Sequence, residues 1–480
     1  MTGIADDPFA HLDATAQADL VRTGDTTPPD LLDAAIRRIE YLNPGINALA
    51  STAYDQARER AETLDRSGVF AGVPTLIKDL MPYPDQAVGW GTRLFQGMPA
   101  PGGSDYTAAL DRAGLIVLGK STTSEFGLLG TTETQAHGPT RNPWNPSLSP
   151  GGSSGGAVAA VAAGMVPVAH ASDGGGSVRG PSAFTGLFGF KPRPARLADN
   201  GMPTESPTAG LITEHCVSRS VRDSATWLRA TERAGLDDPL PPVKTLSAKS
   251  PRPLKIGMFL ADVAETPPSA EAERATRQTA DLSRQLGHSV TEIAPPDVDA
   301  PAIGAAFFTL TGVVMGAMFD QFRQMMGDGF NPDLLEPYTL ELVQRATARG
   351  PEAVPAAMTA LAQARAAAEA RMQGFDMLLS PTVPWPAFPL GTYKPTEDPD
   401  HLMAFVQRVA GYTFIASVAD WPAMSVPLFE TGDGLPLGSH FTAPASEEAT
   451  LFALAFQLEQ AAPWAPRLIK LQEKLACLNG

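Results

Sequence analysis

The chain has 480 residues, enough for one large domain or two to three smaller ones, and its 43% hydrophobic and 18% charged content excludes a disordered or fibrous protein. A formal charge of −16 excludes the basic footprint needed for nucleic acid and disfavours anionic membrane surfaces. Cys216 and Cys477 stand far apart and build no disulfide framework or thiolate metal site, and the histidines form no HExxH.

The N-terminal stretch is acidic (Asp6, Asp7) and lacks a basic region followed by an apolar run, so no signal peptide is expected and the cytoplasm is the expected location. Thr27 before Pro28 and Pro29 predicts a helix start, and Leu31, Leu32, Ala35, Ile36 and Ile39 recur at helical spacing. Val73 to Lys78 and Gly114 to Leu118 read as short buried strands. Ala157 to Ala163 reads as a small-residue helix, and Leu187 to Phe190 as a strand ended by Pro192 and Pro194.

Prolines between Pro239 and Pro253 predict a surface crossing between two parts of the fold. Beyond it, Leu254 to Phe259, Glu271 to Leu286 and Ser289 to Ile293 form a predicted strand–helix–strand unit. Ala302 to Phe319 is uncharged and just long enough to span a bilayer. Its glycines and threonines, bounded by Asp299 and Asp320, read instead as a buried helix or a pocket wall. An alanine-rich helix over Ala353 to Met372, strands at Phe375 to Leu379 and Met424 to Leu428, and a helix at Ala449 to Ala461 complete the pattern. The alternation predicts an α/β fold, one domain over residues 1–480 with a mixed, twisted sheet covered by helices on both faces.

The chemistry concentrates in two glycine-walled serines. They lie in Gly151-Gly152-Ser153-Ser154-Gly155-Gly156 and Ser172-Asp173-Gly174-Gly175-Gly176-Ser177-Val178-Arg179, with Lys78 upstream at the end of Gly72 to Asp79. Glycines bring backbone N–H groups close to a small ligand without Cβ obstruction. A serine in such a cluster combines a nucleophile with an oxyanion hole, which points to acyl transfer without histidine.

Two other motifs are decoys. Gly114-Leu115-Ile116-Val117-Leu118-Gly119-Lys120-Ser121 matches a phosphate loop by letter, but Leu-Ile-Val-Leu reads as buried strand, not as a turn around phosphate. Gly152 to Gly156 matches the lipase elbow, with His440 on offer as base, yet the proline-rich Asn142 to Pro150 cannot supply the strand an elbow requires. No Ser-x-x-Lys occurs, which removes the penicillin-recognising serine enzymes.

On Gly72 to Asp79, Ser149 to Gly156 and Ser172 to Arg179 the chain resembles the amidase signature hydrolases. Thr132-Glu133, Asn142-Pro143, Gly189-Phe190-Lys191-Pro192, Ser380-Pro381-Thr382, Pro422-Ala423 and Gly434 to Gly438 support the resemblance. It implies that family's fold and a triad of Ser177 as nucleophile, Ser153 as bridging serine and Lys78 as base, with a cis peptide at Gly152–Ser153. It further implies an oxyanion hole from the N–H groups of Gly174, Gly175, Gly176 and Ser177, with Asp173 and Arg179 pairing to hold the loop. Gly127 to Thr132, with Gly127, Gly130 and Thr131 as the named positions, would line the acyl pocket, and Phe307, Phe308, Met315, Met318 and Phe319 are candidates for its other wall.

Lys78 serves as a base only when neutral, which asks its pKa to fall from about 10.4 to about 7 at a cost of roughly 4–5 kcal/mol to the ammonium. The apolar strand before it is the expected source of that desolvation. His440, where many members carry glutamine, and the segment Glu214 to Asp223 depart from the commoner pattern. Both look closer to the branch with nylon-oligomer hydrolases, aryl-acylamidases and carbamate-cleaving urethanases. The expectation is a serine hydrolase of small amides, aryl esters and carbamates, acting without metal or cofactor, nucleic acid or membrane. The other readings are a carboxylesterase and a catalytically silent scaffold; self-association into a homo-oligomer stays open.

Overall fold

The protein is described by a computed structural model covering residues 4, 7–95, 97–99, 102–248 and 252–477, so Asp6 and Pro251 lie outside the described residues. Thr27 starts a helix as expected. Its hydroxyl accepts from the Asp30 N–H while Asp30 accepts from the Thr27 N–H, and the two bonds cap Pro28–Ile46. Leu31, Leu32, Ala35, Ile36 and Ile39 all turn inward from that helix.

Strands assemble into two principal ladders. In the smaller, Ile116–Ser121 lies between Leu49–Thr52, antiparallel to it, and Pro74–Lys78, parallel to it. The larger has eight strands in the order Ser289–Glu292, Lys255–Met258, Met377–Pro381, Pro436–Thr442, Ala423–Glu430, Phe188–Lys191, Thr213–Ser218 and Val168–Asp173. Its first three strands are parallel and the others antiparallel, so the sheet is mixed. Strands from both sides of the proline cluster share it.

Helices cover both of its faces. Ser439 and His440 are neighbours on one strand and so point to opposite sides. Ser439 Oγ meets Thr279 of helix Ala270–Gln285 at 2.6 Å, and His440 Nε2 meets Arg179 of helix Arg179–Thr185 at 3.0 Å. The two sheets are tied at their edges by side chains. Thr75 Oγ1 donates to the Val168 carbonyl at 3.0 Å, and the Lys78 N–H donates to His170 Nδ1 at 3.2 Å. Those bonds lay the strand ending in Lys78 beside the strand that leads to Ser177.

Helix Gly155–Ala163 is buried on every side. A Cβ at Gly156 would lie 2.4 Å from the Ala48 carbonyl and the Thr122 nitrogen, so glycine alone permits this approach. Pro239 to Pro253 is more than a crossing, because a short helix, Val243–Ala248, starts on the Pro242 carbonyl and buries Leu246.

The long apolar helix runs Ala300–Met326, and half of its most apolar window is buried inside the protein. It packs against helices Pro337–Ala348 and Ala353–Met372, with a Cβ at Gly312 lying only 2.4 Å from the Leu342 carbonyl. The phosphate-loop look-alike is buried strand throughout Ile116–Ser121, with no turn for a phosphate.

Candidate active site

Every residue of strand Pro74–Lys78 is buried, which carries the Lys78 ammonium into the protein with 0% exposure. Nζ lies 2.7 Å from Ser153 Oγ, 3.0 Å from Ser172 Oγ and 3.4 Å from the Ser172 carbonyl. Burial drives its pKa down to about 7, against the opposing pull of Glu214 and Asp173. Ser153 follows a cis Gly152–Ser153 peptide. Gly152 is packed so tightly that a Cβ would meet Leu129 and Thr131 backbone atoms at 2.7 Å.

Ser177 sits between strand Val168–Asp173 and helix Arg179–Thr185. It is half-buried, and its Oγ makes no hydrogen bond among the described residues. Ser153, Ser172 and Ser177 line one cavity of about 670 Å³. Gly127 and Gly130 line it too, and Gly127 has φ +75°, with its Cβ direction 3.4 Å from Ser153 Oγ. Phe307, Phe308 and Met315 wall the far side together with Phe184, Met403 and Phe414.

Four expected wall residues stand elsewhere, among them Thr132, whose Oγ1 donates to the Gly151 carbonyl at 3.0 Å and accepts from the Gly155 N–H at 3.2 Å. Thr131 is buried behind the wall, where its Oγ1 bonds Glu133 at 2.7 Å and Ser149 at 2.9 Å beneath the Gly151–Gly152 backbone. Phe319 packs its ring on Phe126 at 5.8 Å, and Met318 rests on the same core cluster. On a helix only one face reaches the cavity, and Phe308 and Met315, seven positions apart, share it.

Asp173 and Arg179 pair within the protein, both with 0% side-chain exposure. Arg179 Nε and Nη2 approach the two carboxylate oxygens at 2.9 and 2.8 Å. Burial raises the Asp173 pKa, but Arg179 overrides it and holds the carboxyl far below the usual carboxylate range. The same carboxylate accepts from the N–H groups of Gly176 at 2.8 Å, Val178 at 3.1 Å and Arg179 at 3.4 Å. Gly176, expected in the oxyanion hole, has therefore already given its N–H to Asp173. The N–H groups of Gly174, Gly175 and Ser177 have no acceptor among the described residues.

Comparison with known proteins places the chain. The family model Amidase matches residues 30–452. The chain belongs to the amidase signature family. It is 36% identical to the putative amidase AmiC of Mycobacterium tuberculosis, over 96% of each chain. It is 34% identical to the 6-aminohexanoate-cyclic-dimer hydrolase of Paenarthrobacter ureafaciens, over 95% of this chain and 96% of that one. A structure of a 6-aminohexanoate cyclic dimer hydrolase complexed with substrate superposes with TM-score 0.88 at 32% identity, over 96% of this chain and 99% of the other.

Sequence reasoning did not single out several residues that shape this amidase site. Thr413 Oγ1 donates to the Gly175 carbonyl at 2.6 Å, and its own carbonyl accepts from Arg179 Nη1 at 2.7 Å, pinning the glycine loop from outside. A Cβ at Gly176 would lie 2.3 Å from that hydroxyl. Ser172 and His170 approach Lys78 only because two strands from separate sheets meet. His440 accepts from Arg179 at Nε2, and burial together with Arg179 pushes its pKa well below the ordinary histidine value. It is a neutral partner of the loop clamp and no base for a serine.

Arg179→Met tests the clamp. It strands a buried carboxylate without its partner, and the unfolding free energy is expected to fall by about 3–5 kcal/mol. Urea titration at neutral pH reads this directly. Because the native Asp173 pKa is depressed, the contribution is present above the unfolded value of about 3.9 and is lost as pH falls below it. The gap between variant and wild type should therefore close in acid.

Proposed function

We propose that this amidase cleaves small amides through an acyl-enzyme, with Ser177 as nucleophile, Ser153 as proton bridge and Lys78 as base. The observation that carries the reading is a buried lysine with a pKa near 7, its Nζ 2.7 Å from Ser153 Oγ, on a serine that lines the same cavity as Ser177. The scheme requires Ser177 Oγ to reach Ser153 Oγ, and the two serines line one cavity. Ser177 then attacks the carbonyl carbon, its proton passes to Ser153 Oγ, and the Ser153 proton passes to neutral Lys78. The free N–H groups of Gly174, Gly175 and Ser177 receive the oxyanion. The Lys78 ammonium returns its proton through Ser153 to the departing nitrogen, and water clears the ester by the same route.

The cavity favours an acyl group without charge. Ile303, Phe307, Phe308, Val314, Met315 and Phe414 line much of it with carbon. The charged residues on it are engaged, Asp262 with Arg408, Asp400 with Arg345 and Arg349 with Thr309, so a charged substituent against the apolar side chains would be desolvated without a partner. Aliphatic and aryl amides fit this lining, and aryl esters and carbamates with the same apolar body fit the same chemistry. A relative that hydrolyses the cyclic dimer of 6-aminohexanoate supports a methylene-rich substrate. A panel of aliphatic and aryl nitroanilides, carbamates and nitrophenyl esters tests this, with Ser177→Ala beside the wild type. Preference for charged acyl groups would overturn the assignment. Met315→Lys places an ammonium on the wall, and KM for an aliphatic nitroanilide is expected to rise at least about tenfold with kcat less affected.

A further inference from the structure

Neither His170 nor Glu214 lines the cavity, yet together they form a buried chain that ends on Lys78. The Lys78 N–H donates to His170 Nδ1 at 3.2 Å. A backbone N–H only donates, so Nδ1 carries no proton and the ring hydrogen sits on Nε2. There it points at Glu214 Oε2, 3.0 Å away, while Asn200 Nδ2 donates to Glu214 Oε1 at 3.1 Å. Protonating His170 would set Nδ1–H against the Lys78 N–H, so this imidazole stays neutral and leaves the Glu214 charge uncompensated.

The other charged or titratable groups around Lys78 are already engaged. Asp173 is paired with Arg179. Asp79 turns to the N–H groups of Gly89 and Gly91, and Lys120 donates to the Met81 carbonyl at 2.6 Å. Tyr106 meets His170 edge-on at 5.9 Å and accepts from Trp227, and His215 bonds Ser224. Helix Gly155–Ala163, packed on the lysine strand, contributes only Gly, Ala and Val. No lysine or arginine pairs with Glu214 among the described residues.

We propose that Glu214, acting through His170, is a positioning residue that sets the proton affinity of Lys78 and hence the pH at which this amidase starts to work. The inference rests on the reading of Lys78 as the base. The chain fixes the lysine at the end of its strand and places a buried negative charge behind it. That charge favours the ammonium and opposes the desolvation that makes the amine available.

Glu214→Gln keeps the shape and removes the charge, and Asn200→Lys, on a half-buried loop position, neutralises the charge from outside. For each, kcat/KM on a nitroanilide is measured against pH and expressed per site titrated with a fluorophosphonate. The acid limb is expected to move roughly 0.5–1 pH unit lower in both, with the plateau within about threefold of wild type. A limb that stays in place or moves higher in the folded variants overturns the proposal, and so does loss of folding in both, which would make Glu214 purely structural. If Glu214→Gln alone fails to fold, Asn200→Lys decides. Lys78→Ala separates the two readings: turnover retained there sinks the base itself. An inert Lys78→Ala beside an unmoved limb removes only Glu214.

Discussion

Ser177→Ala is expected to lower kcat/KM on any amide by about four to six orders of magnitude while moving Tm by no more than about 2 °C. The two halves of this result have different physical origins. Catalysis collapses because the Ser177 hydroxyl, next to the free N–H groups of Gly174 and Gly175, is the proposed nucleophile and the acyl-enzyme cannot form without it. Stability survives because Ser177 Oγ bonds no other group among the described residues and is only half-buried, so its removal orphans no partner. Progress curves on a nitroanilide and a thermal melt of the same preparation read both. Full activity in the variant would end the nucleophile assignment. A steep fall in Tm would mean that the loop depends on this side chain and that lost rate cannot be credited to chemistry.

Lys78→Met is expected to cost about three to four orders of magnitude on amides and markedly less on nitrophenyl esters, whose leaving group departs without a proton. In the wild type kcat/KM should rise with pH through about 7 and level off above it, following the neutral amine. Stability should rise with pH as activity does. The lysine pKa falls from its ordinary value of 10.5 to about 7 on folding, so the native state is penalised progressively as pH drops between those values and fully below the lower one. The penalty is on the order of 5 kcal/mol. Methionine removes it, and Lys78→Met should therefore melt higher than wild type at pH 6 and lose that advantage near pH 10. A variant that is equally impaired on esters and amides would argue against an acid role for the ammonium.

The same lysine shows why so much of the site is legible in the amino-acid order. A base that must be neutral needs burial, and an apolar strand ending in lysine announces burial in its own residues. Ser153 and Ser177 stand out because glycine runs are local devices for backbone approach. Helix Ala353–Met372 and the Thr27 cap stand out for a similar reason, since alanine content and an N-cap act within a few residues. Strand Val168–Asp173 does not. Its His, Ser and Asp disguise it, because it is buried for the sake of the site rather than for a hydrophobic face.

By itself, then, the amino-acid order determined which residues have the chemistry, where the backbone bends around them and that the lysine goes inside. Tertiary structure decided the partners. It turned Thr131 away from the cavity, gave the Gly176 N–H to Asp173, brought Thr413 onto the glycine loop and aligned His170 with both Lys78 and Glu214. The reason is geometric. Dihedral preference and polarity are carried by each residue and its near neighbours, whereas a hydrogen-bond partner is chosen by whichever distant element packs alongside, and here two strands from different sheets meet only in the folded chain.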